Sequence, residues 1–331
     1  LRKQAVSFTI RFADHPACYM IEIQCLTKKF RAVTAVNNIS FSVSTGEVVG
    51  FLGPNGAGKT TTMKIITGYI APTSGTVIID GLDIQDHPDA TREKIGYLPE
   101  RNPLYDEFHV SEYLAFVAEL RGVPRAIRAS RRDEMIQSCG LEKVLYKPIG
   151  ELSKGFRQRV GIAQSLIHDP DLVIMDEPTS GLDPNQIVEI RELIKEIGKR
   201  KTVILSTHIL PEVQATCNRM IIIHEGNIVA QGTTEELTKP ESQGENVIIT
   251  LKGRGENIIA VLSELPYVKK VELHETTDAG CSRLRVIGTH DIREELFYVT
   301  AQHHWPIMEL YREHVSLEDI FRKLTKDQQS P

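Results

Sequence analysis

The chain has 331 residues, with 39 Lys plus Arg against 44 Asp plus Glu, a net charge of −5. One residue in four is charged and 41% are hydrophobic, which excludes extended disorder and collagen-like repetition and fits about two domains with buried cores. The mild acidity argues against a dedicated nucleic-acid binder, and no apolar run approaches the roughly 18 residues of a membrane helix.

Residues 1–19 show neither sustained periodicity nor a long apolar segment, so they make a poor signal peptide. Strand-like sequence begins directly after Met20, and the expectation is a working start at Met20 with an upstream extension before it. Alternation predicts strands over 21–26 and 39–43, separated by a polar loop, Lys28-Lys29-Phe30, with one aromatic. A short buried strand is expected at 47–52, then a Gly-rich turn, then a helix over 59–69. Pro72-Thr73-Ser74-Gly75 is turn chemistry, and strands are expected over 77–80 and 94–98.

From about Val110 to Gly161 the spacing becomes helical, with Ser111 as the expected N-cap. Residues 172–175 and 203–205 are continuous apolar runs, as expected of parallel strands covered on both faces. Between them an amphipathic helix is expected over 184–201, with i,i+4 pairing of Glu192 and Glu196 against Lys195 and Lys199. Glu225-Gly226 between runs 220–224 and 227–231 signals a hairpin. A polar, turn-rich boundary falls near Thr238–Gly244. Beyond it the expected order is strand 247–251, helix 257–265, strand 268–274, strand 283–287, helix 292–303, strand 307–311. That β-α-β-β-α-β order is ferredoxin-like, and a short final helix is expected at 316–324. Five cysteines lack C-x-x-C spacing and read as idle thiols in a reducing compartment.

Gly53-Pro54-Asn55-Gly56-Ala57-Gly58-Lys59-Thr60 fits G-x-x-x-x-G-K-S/T, with a strand before and a helix after. Glycines let consecutive N–H groups converge on one anion, and the helix N-terminus adds partial positive charge. Lys59 can reach the β- and γ-phosphates and the Thr60 hydroxyl can ligate Mg²⁺. The plainer alternative is a Gly-rich turn with an incidental lysine. Downstream, Leu172–Glu177 is an apolar strand ending in two carboxylates. Asp176 can hold Mg²⁺ through water and Glu177 can orient or deprotonate a water, unless the pair merely caps a strand.

The P-loop, then Leu152-Ser153-Lys154-Gly155-Phe156, then Asp176 to Asp183 (DEPTSGLD), then Ser206-Thr207-His208 resemble the ATP-binding subunits of ABC transporters. The resemblance covers about residues 21–237. YLPERNPLYDEF, LSKGFRQRVG and TSGLDPNQIVEI resemble the ABC-2 exporter branch, especially the gliding-motility-associated ATP-binding subunits. It implies an α/β fold: a P-loop NTPase core of the ABC ATPase type at 20–240, with an antiparallel β subdomain and a helical subdomain at about 105–162. A ferredoxin-like accessory domain would follow at 245–331, serving dimer support or regulation.

The resemblance also implies site residues. Phe30 would stack on adenine, with Val36 beside it. Gly53, Pro54, Asn55, Gly56, Ala57, Gly58, Lys59, Thr60 and Thr61 would hold the phosphates of ATP. Thr60, Glu100 and Asp176 would hold Mg²⁺. Ser153 and Gly155 would contact the γ-phosphate bound by a second copy, and Asp183 would link the two sites. Glu177 is the implied catalytic carboxylate and His208 the residue sensing the γ-phosphate. Partners would be a second copy and an integral membrane permease, on the cytoplasmic face of the cell membrane, with no nucleic acid.

Two departures stand out. Lys154 and Phe156 replace a Gly and the Gln of the usual LSGGQ, and Glu100 stands where the family usually has Gln. The rival function is a soluble ABC-type ATPase acting on ribosomes or DNA. Translation-type members carry two cassettes and repair-type members carry long coiled-coil or zinc insertions, whereas a single P-loop is present here.

Overall fold

A computed structural model describes residues 19–238, 245–253, 255–276, 280–312, 317–318 and 321–322. The expectations for the extension before Met20 and for the helix at 316–324 fall largely outside these residues. The chain divides into two compact units between Gln231 and Gly232.

The first unit begins with β1 (Tyr19–Phe30), β2 (Val33–Ser44), β3 (Val48–Leu52) and α1 (Lys59–Ile66). It continues through β4 (Ser74–Ile79), β5 (Leu82–Asp83), α2 (Pro88–Glu93) and β6 (Ile95–Leu98). Three helices follow, α3 (Val110–Leu120), α4 (Arg128–Ser138) and α5 (Lys154–Leu166). The chain then runs β7 (Leu172–Asp176), α6 (Pro184–Gly198), β8 (Thr202–Thr207), α7 (Leu210–Thr216), β9 (Arg219–His224) and β10 (Asn227–Gly232).

The central sheet has the order β10-β9-β3-β8-β7-β6, with β9, β3, β8, β7 and β6 parallel. Every residue of β3, β7 and β8 is buried. Alternate residues feed two different cores: Val173 and Met175 pack with α3 and α5, while Leu172 and Ile174 pack with α1 and the antiparallel sheet β2-β1-β4-β5. A strand buried on both faces takes apolar residues on both, which is why 172–175 and 203–205 read as unbroken runs, with the polar residues of β7 and β8 confined to the strand ends. Glu225 and Gly226 both take positive φ (46° and 77°), the two-residue turn that matches strand twist in the expected hairpin.

Three expectations are corrected. Lys28-Lys29-Phe30 is not a loop; these residues continue β1, opposite Val36, Thr34 and Val33. The ladder runs on because irregularities around Cys25, at φ 51°, absorb the break in alternation. The cap of α3 is His109 rather than Ser111, with the Glu112 carboxylate accepting from the His109 N–H at 3.4 Å. On α6 the charges pair at i,i+3, Lys195 to Glu192 at 2.8 Å and Lys199 to Glu196. The residue numbers already fix that spacing, since each lysine follows its glutamate by three, and i,i+3 brings side chains together on a helix as i,i+4 does.

The second unit opens with α8 (Thr234–Thr238), followed by β11 (Glu245–Lys252), α9 (Gly255–Ser263), β12 (Val268–Thr276) and β13 (Cys281–Gly288). It ends with α10 (Arg293–Gln302) and β14 (Ile307–Arg312). Its antiparallel sheet has the order β12-β13-β11-β14. Val247, Ile249 and Leu251 of β11 and Leu284 and Val286 of β13 form its core with Ile258, Leu262 and Leu296. Strict alternation along β13 marks a sheet with one face toward that core. Among the described residues no helix is long and apolar enough to cross a membrane.

Candidate functional site

The turn after β3 is shaped by glycines that nothing else could replace. Gly58 takes φ +108°, and a Cβ there would overlap the Ala35 carbonyl. A Cβ at Gly53 would overlap the Ile223 carbonyl. Close backbone approach of this kind is open only to glycine, and it sets the loop directly before the N-terminus of α1. Lys59, the first residue of α1, is only 5% exposed. Its Nζ donates to the Gly53 carbonyl at 2.8 Å and the Pro54 carbonyl at 3.2 Å, and lies 3.3 Å from Glu177 Oε1. Thr60 and Thr61 follow, half-buried.

The carboxylates stand at the tip of β7, beside that loop. Asp176 is fully buried; its Oδ1 accepts from the Ser206 hydroxyl, and its Oδ2 has no hydrogen-bond partner. A buried carboxylate oxygen without a donor is expensive unless a cation completes it. The unpartnered Asp176 Oδ2 is therefore an oxygen that a cation such as Mg²⁺ could complete. The Asp176 charge is felt nearby: burial, and after it that carboxylate, raise the Tyr97 phenol above its ordinary value.

Glu177 takes φ +50°, a conformation that strains a non-glycine residue. Its N–H donates to the Ser206 carbonyl at 3.0 Å, which holds the turn. The side chain is buried, with Oε1 facing Lys59 and Oε2 2.8 Å from His208 Nδ1. The structure thus brings Lys59, the adjacent pair Asp176-Glu177 and His208 together from three different segments.

Other expected residues lie further out. Ser153 caps α5 by accepting from the Phe156 N–H at 3.4 Å, and Gly155 is buried in the first turn. Asp183 caps α6 through the N–H groups of Asn185 (3.1 Å) and Gln186 (3.0 Å). Their hydrogen bonds go to partners other than Lys59. Phe30 is 46% exposed at the end of β1, with Lys28 Nζ 5.0 Å from its ring centroid, while Val36 is fully buried in the core. Glu100 and Lys154, two of the departures, line one cavity of about 330 Å³ with Glu177 and Ser180.

Sequence reasoning missed Thr179 and Glu212. Both are buried, and the Thr179 hydroxyl donates to Glu212 Oε1 at 2.6 Å. Glu212 carries no local signal beyond being an acid in the first turn of a helix, which is common.

Comparison with known proteins agrees with this geometry. Residues 36–180 match the family model described as ABC transporter. The Nod factor export ATP-binding protein I of Ralstonia nicotianae is 33% identical over 308 residues, 92% of this chain and 94% of that protein. The linearmycin resistance ATP-binding protein LnrL of Bacillus subtilis is 31% identical over 309 residues, 92% of this chain and 98% of its own length. A solved dimeric ATP-binding cassette in a post-hydrolysis state, bound to ADP and Pi, superposes with a TM-score of 0.59 at 27% identity, over 65% of this chain and 98% of the cassette. The glycine cradle, the two strand-tip carboxylates and full-length relatedness agree, and the chain belongs to the ATP-binding subunits of ABC transporters.

Proposed function

We propose that this subunit hydrolyses ATP as a homodimer and couples the cycle to a separate integral membrane permease of the ABC-2 exporter branch, at the cytoplasmic face. The observation that carries the reading is the Glu177 carboxylate, buried between the Lys59 ammonium and the His208 imidazole. The phosphates of ATP would lie on the Gly53–Thr61 backbone and the positive end of α1. Lys59 would exchange its loop carbonyls for phosphate oxygens. Glu177 would accept a proton from a water as its oxygen bonds to the γ-phosphorus and the bond to the β-bridging oxygen breaks, releasing ADP. His208, hydrogen-bonded to Glu177, would fix its orientation and donate toward the γ-phosphate. Mg²⁺ held by Thr60, Asp176 and Glu100 would supply positive charge against the triphosphate.

Pairing is supported by the dimeric cassette of the comparison; in such a pair Ser153, Gly155 and Asp183 would face the second copy's nucleotide. Export is supported by the relatives' names, which refer to Nod factor export and linearmycin resistance. Motility-related transport is one process that the exporter would serve. Tyr105 and Phe116 are exposed and cluster with Phe108, ring centroids 5.6 to 6.1 Å apart. A grouped aromatic surface of this kind suits docking on a permease loop. The division into an ATP-binding domain at 20–240 and a ferredoxin-like accessory domain at 245–331 is part of the same proposal; the sheet order β12-β13-β11-β14 supports the latter.

Glu177→Gln tests the reading. Hydrolysis should fall at least about a hundredfold, while ATP binding persists and ATP accumulates a dimer on size-exclusion chromatography. Hydrolysis at the parent rate would overturn the assignment.

A further inference from the structure

Glu212 sits in the first turn of α7 and is 3% exposed. Its two oxygens have separate donors: Oε1 takes the Thr179 hydroxyl at 2.6 Å, and Oε2 takes the Thr207 hydroxyl at 2.8 Å. Thr207 Oγ1 in turn accepts the Ile209 N–H at 3.1 Å, so that hydroxyl is fixed from both sides. Thr179 and Thr207 are themselves buried, at 3% and 0%.

The positions of these threonines matter. Thr179 lies two residues after Glu177, and its carbonyl accepts the Leu182 N–H at 3.2 Å, which closes the turn leading to Asp183. Thr207 directly precedes His208, and its carbonyl accepts the Gly53 N–H at 3.3 Å. One carboxylate is therefore tied to the segment bearing Glu177 and the segment bearing His208. Through the Thr207 backbone it also reaches the first glycine of the phosphate loop.

Glu212 forms no ion pair with Lys or Arg among the described residues. A buried carboxylate without a cation is a poor way to gain stability, and an apolar side chain would fill the space more favourably. What its two oxygens provide is direction, because each accepts a different threonine hydroxyl, at 2.6 and 2.8 Å. We propose that Glu212 is a positioning residue for ATP hydrolysis. It locks Thr179 and Thr207 so that Glu177 and His208 keep their 2.8 Å contact and their aim at the nucleotide. This inference rests on the ATPase reading above and acts through Glu177, without touching the nucleotide.

The test compares the purified parent with Glu212→Ala, Glu212→Gln, Thr179→Val and the Glu212→Ala/Thr179→Val double variant. Steady-state hydrolysis is measured across ATP concentrations with Mg²⁺ present. Glu212→Ala should lower kcat about 30- to 100-fold, with KM for ATP changed less than about threefold, because displacing a catalytic group leaves ground-state binding intact. Glu212→Gln should stay within about fivefold of the parent, since an amide can accept from Thr207 and donate to Thr179. Thr179→Val should lower kcat about tenfold alone and add little to Glu212→Ala, because the two side chains share one bond.

A parent that does not hydrolyse ATP overturns both readings. An active parent matched in kcat by Glu212→Ala overturns this inference alone, as does a KM that rises in proportion to the loss or a Glu212→Gln no better than Glu212→Ala. Should Glu212→Ala fail to fold by circular dichroism, Thr179→Val and Glu212→Gln decide it. A Thr179→Val variant at the parent kcat then overturns the inference.

Discussion

In the nucleotide unit, Lys59, Asp176, Glu177 and Glu212 are all less than a tenth exposed and cluster around the tips of parallel strands. In the second unit, the buried polar residues among those described are two hydroxyls, Ser282 and Thr300. Each donates to a backbone carbonyl, of Gly253 and Phe297 respectively. The second unit's described charged residues are exposed or half-buried, as in the pairs of Lys270 with Glu272 and Arg283 with Glu309. Burying a carboxylate or an ammonium opposes folding unless partners repay the lost hydration. The first unit accepts that opposition around one concavity, whereas the second satisfies its core with hydrocarbon and two hydroxyls. The contrast separates a unit that gathers buried charge from one whose described core is hydrocarbon and two hydroxyls.

The sharpest way to break this comparison is Lys59→Ala. If the buried ammonium is there for phosphate, ATP affinity measured calorimetrically with Mg²⁺ should fall at least about a hundredfold, the scale of a lost charge-assisted contact in a desolvated site. Unchanged affinity would reduce Lys59 to a brace between Gly53, Pro54 and Glu177.

A smaller effect separates buried titratable groups that serve stability from those at the site. His168 precedes β7, its Nε2 3.1 Å from the Ile95 carbonyl. Burial first, and then the Arg121 charge, push its imidazole down from 6.5 to about 4. Between those values the unfolded chain binds the extra proton, so stability is full above pH 6.5 and declines as pH falls toward 4. After allowance for partial exposure, the loss is about 2 kcal/mol. Urea denaturation of His168→Gln across this range should show a shallower decline than the parent; an identical slope would remove His168 from the account.

The smallest effect belongs to the second unit. Arg283 lies 3.9 Å from Glu309 and donates to the Tyr311 hydroxyl at 2.6 Å, with the ion pair well exposed to water. Arg283→Ala should cost less than about 1 kcal/mol in urea denaturation, as exposed pairs do. A loss of several kcal/mol would show that this unit, too, depends on a constrained charge, and the contrast would blur.

Much of the nucleotide unit was legible in the residues. The glycines of 53–58, the lysine that follows and the apolar run ending in Asp176-Glu177 are local patterns, and their chemistry is fixed by neighbours in sequence. The hairpin at Glu225-Gly226 is equally local, since a two-residue turn demands positive φ. The same locality explains the errors. Alternation ended before Lys28, yet β1 continued because β2 supplied partners across the ladder. Ser111 resembled a cap, but the chain entered α3 two residues earlier than that required, and His109 took the role.

The sequence by itself determined most of the elements and the glycine-rich turn at 53–58 between a strand and a helix, because steric freedom, apolar periodicity and helix-end polarity act within a few residues. Only the tertiary structure decided that Lys59, Asp176, Glu177 and His208 share one place. It alone set Ser206 against Asp176, and Glu212 between threonines 33 and 5 residues away. The physical reason is that β3, β7 and β8, distant along the chain, lie side by side in the sheet. Burial there strengthens each polar contact and penalises every unpaired one, so the meaning of a carboxylate depends on what the fold sets beside it.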